Sequence, residues 1–425
     1  MRKIFGILLL YIPFSVSSQT SYVADIDRLY EAMQKTPSYK DQVKGEKKQQ
    51  FEQLYQSLRQ DSSMVVTDYD KYLRLVQLFF LIRDNHFGFY QLLRSYPDKA
   101  SLADSSFVQS YRASPEFIQY PSTNINIDSL REKLAAISKD SIEGIYYYDK
   151  YLTVGLYRTN KRDSLMGVVL STNLPHWQPG QIAIWLREYS PAKFRAVYGH
   201  PLHKYLILFN NEKFLRHALI NSSFYASITE SVYKKDTAAI DHAIIPRSSP
   251  PFLFRALTNN VQYIRIGHFS AMNKDIQAAD DFYARYTDSV TAPHLIVDLR
   301  NNGGGAKKVS DKLLRVLRNY SRQGKIYVLV NNSTISEGER FAIHVRSLPN
   351  TKVYGETTNG MLAYGNNAGK RVTLPGGTIT FYVTDMSDPD GYLRYEDIGV
   401  QPDQWLDAGK DWIEQVLSII AADHK

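Results

Sequence analysis

The sequence predicts a mixed α/β protein assembled from three differently patterned parts, and three observations predict it. Between about Tyr22 and Leu93, apolar residues recur at helical spacing. Between about Asp140 and Ile228, short strand-like runs are separated by Pro, Gly and Asn turns. From Val261 onward, strand and helix patterns alternate, the signature of a mostly parallel sheet covered by helices. The expected division is residues 1–18 as a leader, 19–98 as a helical domain, 99–254 as a β-rich middle domain and 255–425 as an α/β domain.

Taken in order, Arg2 and Lys3 precede an apolar run, Ile4 to Val16, and then small residues at Ser17 and Ser18. That order of charge, apolar run and small residues is the pattern of a secretory signal peptide. The run is too short to span a bilayer comfortably, and no later stretch approaches 18 apolar residues. The chain is therefore expected to be exported, periplasmic or secreted, with no stable membrane span after cleavage. A buried N-terminal helix is the competing reading. Helices follow from Ile26, Leu29, Tyr30 and Met33, from Phe51, Leu54, Tyr55 and Leu58, and over Asp68–Arg83, ending at Asp84-Asn85-His86-Phe87-Gly88. The middle strands are expected over Gly144–Asp149, Leu152–Tyr157, Leu165–Leu170, Gln181–Leu186 and Tyr205–Phe209, forming a small barrel or sandwich. Segments near Ser122–Ile127 and Lys234–Pro251 read as linkers. The last part predicts strands at Val261–Ile266, His294–Leu299 and Lys325–Val330. Its helices are expected over Ala279–Ser289, around Val309–Leu317 and over Glu337–Leu348.

Composition narrows the chemistry. Of 425 residues none is Cys, which excludes disulfides, thiolate metal sites and a cysteine nucleophile. The formal charge of +8 comes from 51 Lys+Arg against 43 Asp+Glu, and the basic residues form no arm or stripe, so no nucleic-acid partner is expected. Loss of Arg2 and Lys3 with the leader would leave +6.

Two loops fall at the carboxyl ends of predicted parallel strands, where such sheets place reactive groups. In one, Ser336 stands at the start of a helix, so a nucleophile there would have the N–H of Glu337 beside it for an oxyanion. The same Ser with Glu339 three residues on is equally a capping box. In the other, Gly303, Gly304 and Gly305 follow a strand and permit positive φ and close backbone approach. They fit an anion-binding nest or a tight turn; a phosphate loop is disfavoured because no Gly-Lys-Ser/Thr ending follows.

The stretch Leu295–Gly305, with Asp298-Leu299-Arg300-Asn301-Asn302-Gly303-Gly304, resembles the "DLRxNxGG" signature of the tail-specific (C-terminal processing) serine peptidases. Four further blocks match in order: Val261–Ile266, Ser333–Glu339 as "S/T-x-S-x-x-E", Gly355–Gly360 as "GxxTxG", and Glu396–Asp403 as "E-x-x-G-V/I-x-P-D". The resemblance implies a crotonase-like ββα spiral for the α/β domain, with Ser336 as nucleophile. One branch of the family uses a Lys directly after "GxxTxG"; Met361 stands there, and a thioether takes up no proton, leaving Lys370 as the only substitute. The tricorn-core-like branch uses a His from the helical domain and a Glu near the C-terminus. Leu81-Ile82-Arg83-Asp84-Asn85-His86 resembles its "L-x-D-x-H" motif, giving His86 as base, Glu396 as its orienting acid and Asn85 as a relay where that branch has Ser.

The resemblance further implies an oxyanion hole from the N–H groups of Gly304 and Glu337. Asp298 and Arg300 are expected to anchor the loop, and Glu339 to brace the helix. His344 lies two turns beyond Ser336, about 12 Å along the helix axis and out of reach. His268 and His294 read as core residues, and His200 and His203 have no third ligand for a metal. The middle part shows no carboxylate-binding PDZ loop. The expected function is an exported serine endopeptidase acting on protein or peptide, with no metal or cofactor. The alternative is a peptide- or apolar-ligand-binding protein on the same scaffold.

Overall fold

The computed structural model describes residues 14–92, 97–366 and 369–423. The leader reading falls largely outside these, since residues 1–13 are not described.

The N-terminal helices Phe14–Gln34, Glu46–Gln60 and Asp68–Leu75 bury the predicted faces. Ile26, Leu29, Met33, Phe51 and Leu58 all lie in one core. Thr67 starts the third helix with a reciprocal cap: its Oγ1 accepts the Asp70 N–H at 3.1 Å, and Asp70 Oδ2 accepts the Thr67 N–H at 3.0 Å. The single helix expected over Asp68–Arg83 instead tightens to a 3-10 turn at Val76–Leu81. Its residues Val76-Gln77-Leu78-Phe79-Phe80-Leu81 include good helix formers, so packing rather than propensity decides its form. Phe79 and Phe87 both meet Phe381 edge-on, at ring-centroid distances of 5.3 and 5.2 Å.

Phe381 belongs to a pair of strands, Arg371–Thr373 and Ile379–Tyr382, that come from the far end of the chain. The second pairs antiparallel with Gly88–Gln91, the strand directly after His86. Val372, Leu374, Ile379 and Phe381 complete the helical core. The N-terminal helices are thus packed over residues some 290 positions away, and Gly88–Gln91 also joins the middle sheet where Tyr90 faces Ile207.

The middle of the chain forms a closed antiparallel barrel of eight strands: Gly144–Tyr148, Leu152–Arg158, Ser164–Thr172, Ile182–Ser190, Lys193–Gly199, Leu206–Leu215, Ala218–Leu219 and Tyr233–Lys234. Successive strands pair to Leu206–Leu215, and the ring closes through Ala218–Leu219 and Tyr233–Lys234 back to Gly144–Tyr148. Of the two architectures left open for this part, the barrel is the one formed. Its interior is aromatic, with Tyr146, Tyr148, Trp177, Phe194, Tyr198 and Tyr233 fully buried. Ser122–Ile127 leads into a helix over Ile127–Ala135, capped by Asn126; residues 235–251 carry no regular structure, but Ala243 among them is buried in the core with Trp412.

The last part is a six-stranded sheet in the order 252–258, 261–266, 294–298, 325–330, 351–355, 404–405. The first pairing is antiparallel and the rest are parallel. Helices Asn273–Tyr286, Lys307–Tyr320 and Glu337–Arg346 pack on one face. Trp412–Ala422 packs on the other. The loops at 299–306 and 331–336 leave the carboxyl ends of neighbouring strands and meet there.

Candidate active site

Asp298 and Arg300 build the floor of the first loop. Both Asp298 oxygens accept from Arg300, Oδ2 also accepts from Tyr263 at 2.8 Å, and Arg300 Nη1 donates to the His242 carbonyl. This is the anchoring role expected of them. Asn302, fully buried, donates to the Ile266 carbonyl at 2.9 Å, and its own carbonyl accepts from Ile335 at 3.0 Å, stitching the two loops together.

The glycines then pass close beneath the second loop. Gly304 has φ +77°, and a Cβ there would lie 2.7 Å from Ser336 Cβ and 3.0 Å from the Glu337 nitrogen. Gly305 has φ +139° and faces the Phe269 carbonyl with no room for any side chain. Gly304→Ala combines a left-handed L-residue, costing about 1–3 kcal/mol, with displacement of Ser336. Hydrolysis is expected to fall about 100-fold, with a lower melting temperature measured beside it. Near-parental activity would mean that the approach is unimportant.

Ser336 is held in an unusual conformation, φ +56°, ψ −123°, at the N-terminus of Glu337–Arg346. Backbone strain of this kind persists only where the surroundings over-determine it. Here the Ser336 N–H is shared between the Met361 carbonyl (2.9 Å) and Glu339 Oε2 (3.1 Å). Glu339 is fully buried and accepts four hydrogen bonds, the others from Thr358 Oγ1, Gly360 N–H and Met361 N–H at 2.5, 2.7 and 2.9 Å. Burial pushes its carboxyl up, opposed by those donors and by the charge of Lys213. The expected brace is therefore formed, and it extends to the loop at 358–361. Met361 takes part through its backbone alone in these bonds, and Lys370 is exposed beside the strand Arg371–Thr373.

His86 Nε2 lies 3.1 Å from Ser336 Oγ, so residues 250 apart in sequence meet at hydrogen-bond distance. Burial, with Arg340's charge second, lowers the His86 pKa to about 4. The imidazole is thus neutral and able to take up a proton across the physiological range. Asp84 is fully buried, accepts from His86 N–H (3.2 Å) and Thr384 Oγ1 (2.7 Å), and is pushed up to about 7 by burial.

Glu396 is buried beside them but makes no hydrogen bond to the imidazole. Its Oε1 accepts the Asn85 backbone N–H (2.8 Å), and its Oε2 accepts from Leu362 and Ala363 N–H (2.9 and 2.8 Å). The orienting role expected of Glu396, with Asn85 as relay, is not carried by hydrogen bonds to the imidazole: Glu396 fixes the backbone on either side of the site. Its pKa rises to about 8, through burial first and the charge of Asp84 second. The Asn85 side chain does not bridge the two either. Its Nδ2 donates to the Gly360 carbonyl (2.7 Å) and Asp397 Oδ1 (2.9 Å). Asn85 Oδ1 and His86 Nδ1 are both buried without a hydrogen-bond partner.

Of the expected oxyanion donors, Gly304 N–H is already taken by Asn302 Oδ1 at 2.9 Å. Glu337 N–H, at the first position of its helix, has no acceptor among the described residues. His344 bonds Tyr392 OH (3.0 Å), His294 bonds Tyr327 OH (3.1 Å), and His200 and His203 face backbone carbonyls. No group of three or more potential metal ligands occurs among the described residues.

Sequence reading passed over Arg340 and Lys213. Arg340, one turn beyond Ser336, reaches the Leu362 carbonyl at 2.8 Å; its i+4 spacing was a usable signal. Lys213 had none, because only the fold brings the barrel to this loop.

Residues 306–405 match the model of peptidase family S41. The matched stretch includes Ser336, Glu337 and Glu396; Gly304 and His86 lie outside it. No curated protein sequence matches the chain. Among solved structures, the photosystem II D1 C-terminal processing protease is 14% identical (94% of this chain, 97% of that one, TM-score 0.37). Mature CPAF is 12% identical (95% and 97%, TM-score 0.42). The tricorn protease is 14% identical (95% of this chain but 36% of that one, TM-score 0.42). With TM-scores below 0.5 these likenesses carry no weight, and it is the match over 306–405 that identifies a peptidase family S41 domain and makes the protein a serine-type peptidase.

Proposed function

We propose that the protein is an exported endopeptidase of the tricorn-core-like branch, working on a crotonase-like ββα core, with Ser336 as nucleophile and His86 as base. The 3.1 Å approach of His86 Nε2 to Ser336 Oγ is the observation that carries this reading. Ser336 Oγ forms a bond to the peptide carbonyl carbon while its proton passes to Nε2. The carbonyl oxygen becomes an oxyanion beside the Glu337 N–H, at a helix N-terminus suited to negative charge. Gly304 N–H joins once Asn302 Oδ1 releases it. Collapse of the intermediate breaks the C–N bond, and the imidazolium returns its proton to the leaving amine. Water then repeats the sequence to free the acyl-enzyme.

Glu396 serves as a positioning residue, fixing the backbone at 85 and 362–363. Export rests on the charged-then-apolar pattern of residues 2–18.

The test is covalent. A fluorophosphonate should label the mature chain at Ser336, located by peptide mass, and the chain should hydrolyse casein. Ser336→Ala should do neither while keeping its melting temperature. Absence of label on the folded parent, or labelling of another serine, would refute the assignment.

A further inference from the structure

The barrel strand Leu206–Leu215 changes phase on its way past the active site. Leu206 and Leu208 face outward into the helical core, while Ile207 and Phe209 pack toward the barrel interior. Ala196 then pairs with Phe209 but Phe194 with Glu212, so Asn210 and Asn211 stand opposite Arg195 alone. This is a β-bulge, which shifts the alternation by one residue and re-aims the side chains after it. Beyond it Glu212 points inward, bonded to Tyr198 OH at 2.8 Å, and Asn211 and Lys213 point out.

They point at the 331–336 loop and at the 356–361 loop beside it. Lys213 Nζ donates to Asn332 Oδ1 (2.8 Å), the Asn359 carbonyl (2.8 Å) and the Thr358 carbonyl (3.2 Å). Asn211 Nδ2 donates to the same Asn359 carbonyl at 2.8 Å. An ammonium has three N–H donors, and these three acceptors saturate it. Asn332 stands four residues before Ser336, and Thr358 and Asn359 stand just before the Gly360 and Met361 amides that bind Glu339. Lys213 is itself buried, among residues contributed by both parts of the chain.

We propose that Lys213 is a positioning residue for the peptidase reaction, a clamp from the barrel that holds the 331–336 and 356–361 loops in the register Ser336 needs. The proposal rests on the reading of Ser336 as nucleophile. The clamp depends on three donors, so it weakens when the ammonium loses a proton. Burial lowers the Lys213 pKa to about 8, with Lys193 acting the same way and Glu339, Glu356 and Glu212 opposing.

The experiment follows fluorophosphonate labelling of Ser336 against probe concentration and pH, with melting temperatures recorded. In the parent, the maximal labelling rate should fall above about pH 8. In Lys213→Arg, whose guanidinium does not titrate there, that alkaline limb should move beyond pH 10 whatever the absolute rate. Lys213→Met should lower the maximal rate about 10–100-fold, with the half-saturating probe concentration within about twofold. A parent without an alkaline limb near pH 8, a limb that stays put in Lys213→Arg, or a folded Lys213→Met labelling at the parental rate would each overturn the clamp. A folded parent that takes no label at all would instead overturn the Ser336 reading beneath it.

Discussion

Replacing His86 with alanine is expected to lower casein hydrolysis and fluorophosphonate labelling by at least about 10³-fold, since catalytic units of this kind lose nearly everything with one member. The side chain is half-buried, so folding should survive, and melting temperature is the control. Unimpaired hydrolysis would place the base elsewhere. The pH dependence of the parent sharpens the test. The His86 pKa is depressed from 6.5 to about 4, so the basic form persists well into the acid range, and the acid limb of labelling should fall near pH 4 rather than 6.5. The sign for stability is the same. A depressed pKa contributes stability that is present above 6.5 and lost as pH falls through 4. Asp84 and Glu396, raised to about 7 and 8, act oppositely, and their contribution is lost as pH rises through those values.

Glu339→Ala should be the most damaging change outside the Ser–His pair. One carboxylate collects the Ser336, Gly360 and Met361 N–H groups and the Thr358 hydroxyl. Its removal takes the partner from the Gly360 and Met361 N–H groups and the Thr358 hydroxyl, and strips Lys213 of the negative charge that most favours its ammonium. Breaking a buried charge network from one side costs about 3–5 kcal/mol, a large share of the stability of an ordinary domain. Ser336 would also lose one of the two acceptors that hold its strained backbone. Denaturant midpoints and labelling rates should therefore fall together. Glu339→Gln, which keeps an acceptor oxygen, should recover much of the stability and less of the rate. A fully stable and active Glu339→Ala would show that the loop is held by other means.

The features legible in the sequence and those hidden from it divide along physical lines. The strands Val261–Ile266 and Lys325–Val330 were legible to the residue because buried parallel strands are short apolar runs between turn signals. Ser336, Gly304 and His86 were legible as motif residues, yet nothing in the spacing said that they meet. Lys193–Gly199 was missed as a strand: it buries Arg195, whose charge is offset by pairing with Asp397, 202 residues later. The strand Gly88–Gln91 was missed for a related reason, since its partner at 379–382 lies near the other end of the chain. Glu396 was legible as a site residue but not in its contacts, because a carboxylate that binds backbone N–H groups looks in sequence like one that binds a histidine.

The pairing of Gly88–Gln91 with Ile379–Tyr382 has a consequence for biosynthesis. The strand after His86 finds no partner there until about 290 more residues have been made, which takes roughly 15–60 s at ordinary rates of translation. Until then the strand after His86 is held in the sheet only through the barrel, where Tyr90 faces Ile207. On the proposed Ser–His reading, hydrolytic competence therefore waits for the late arrival of the strand Ile379–Tyr382, and a product terminated before it would stay silent.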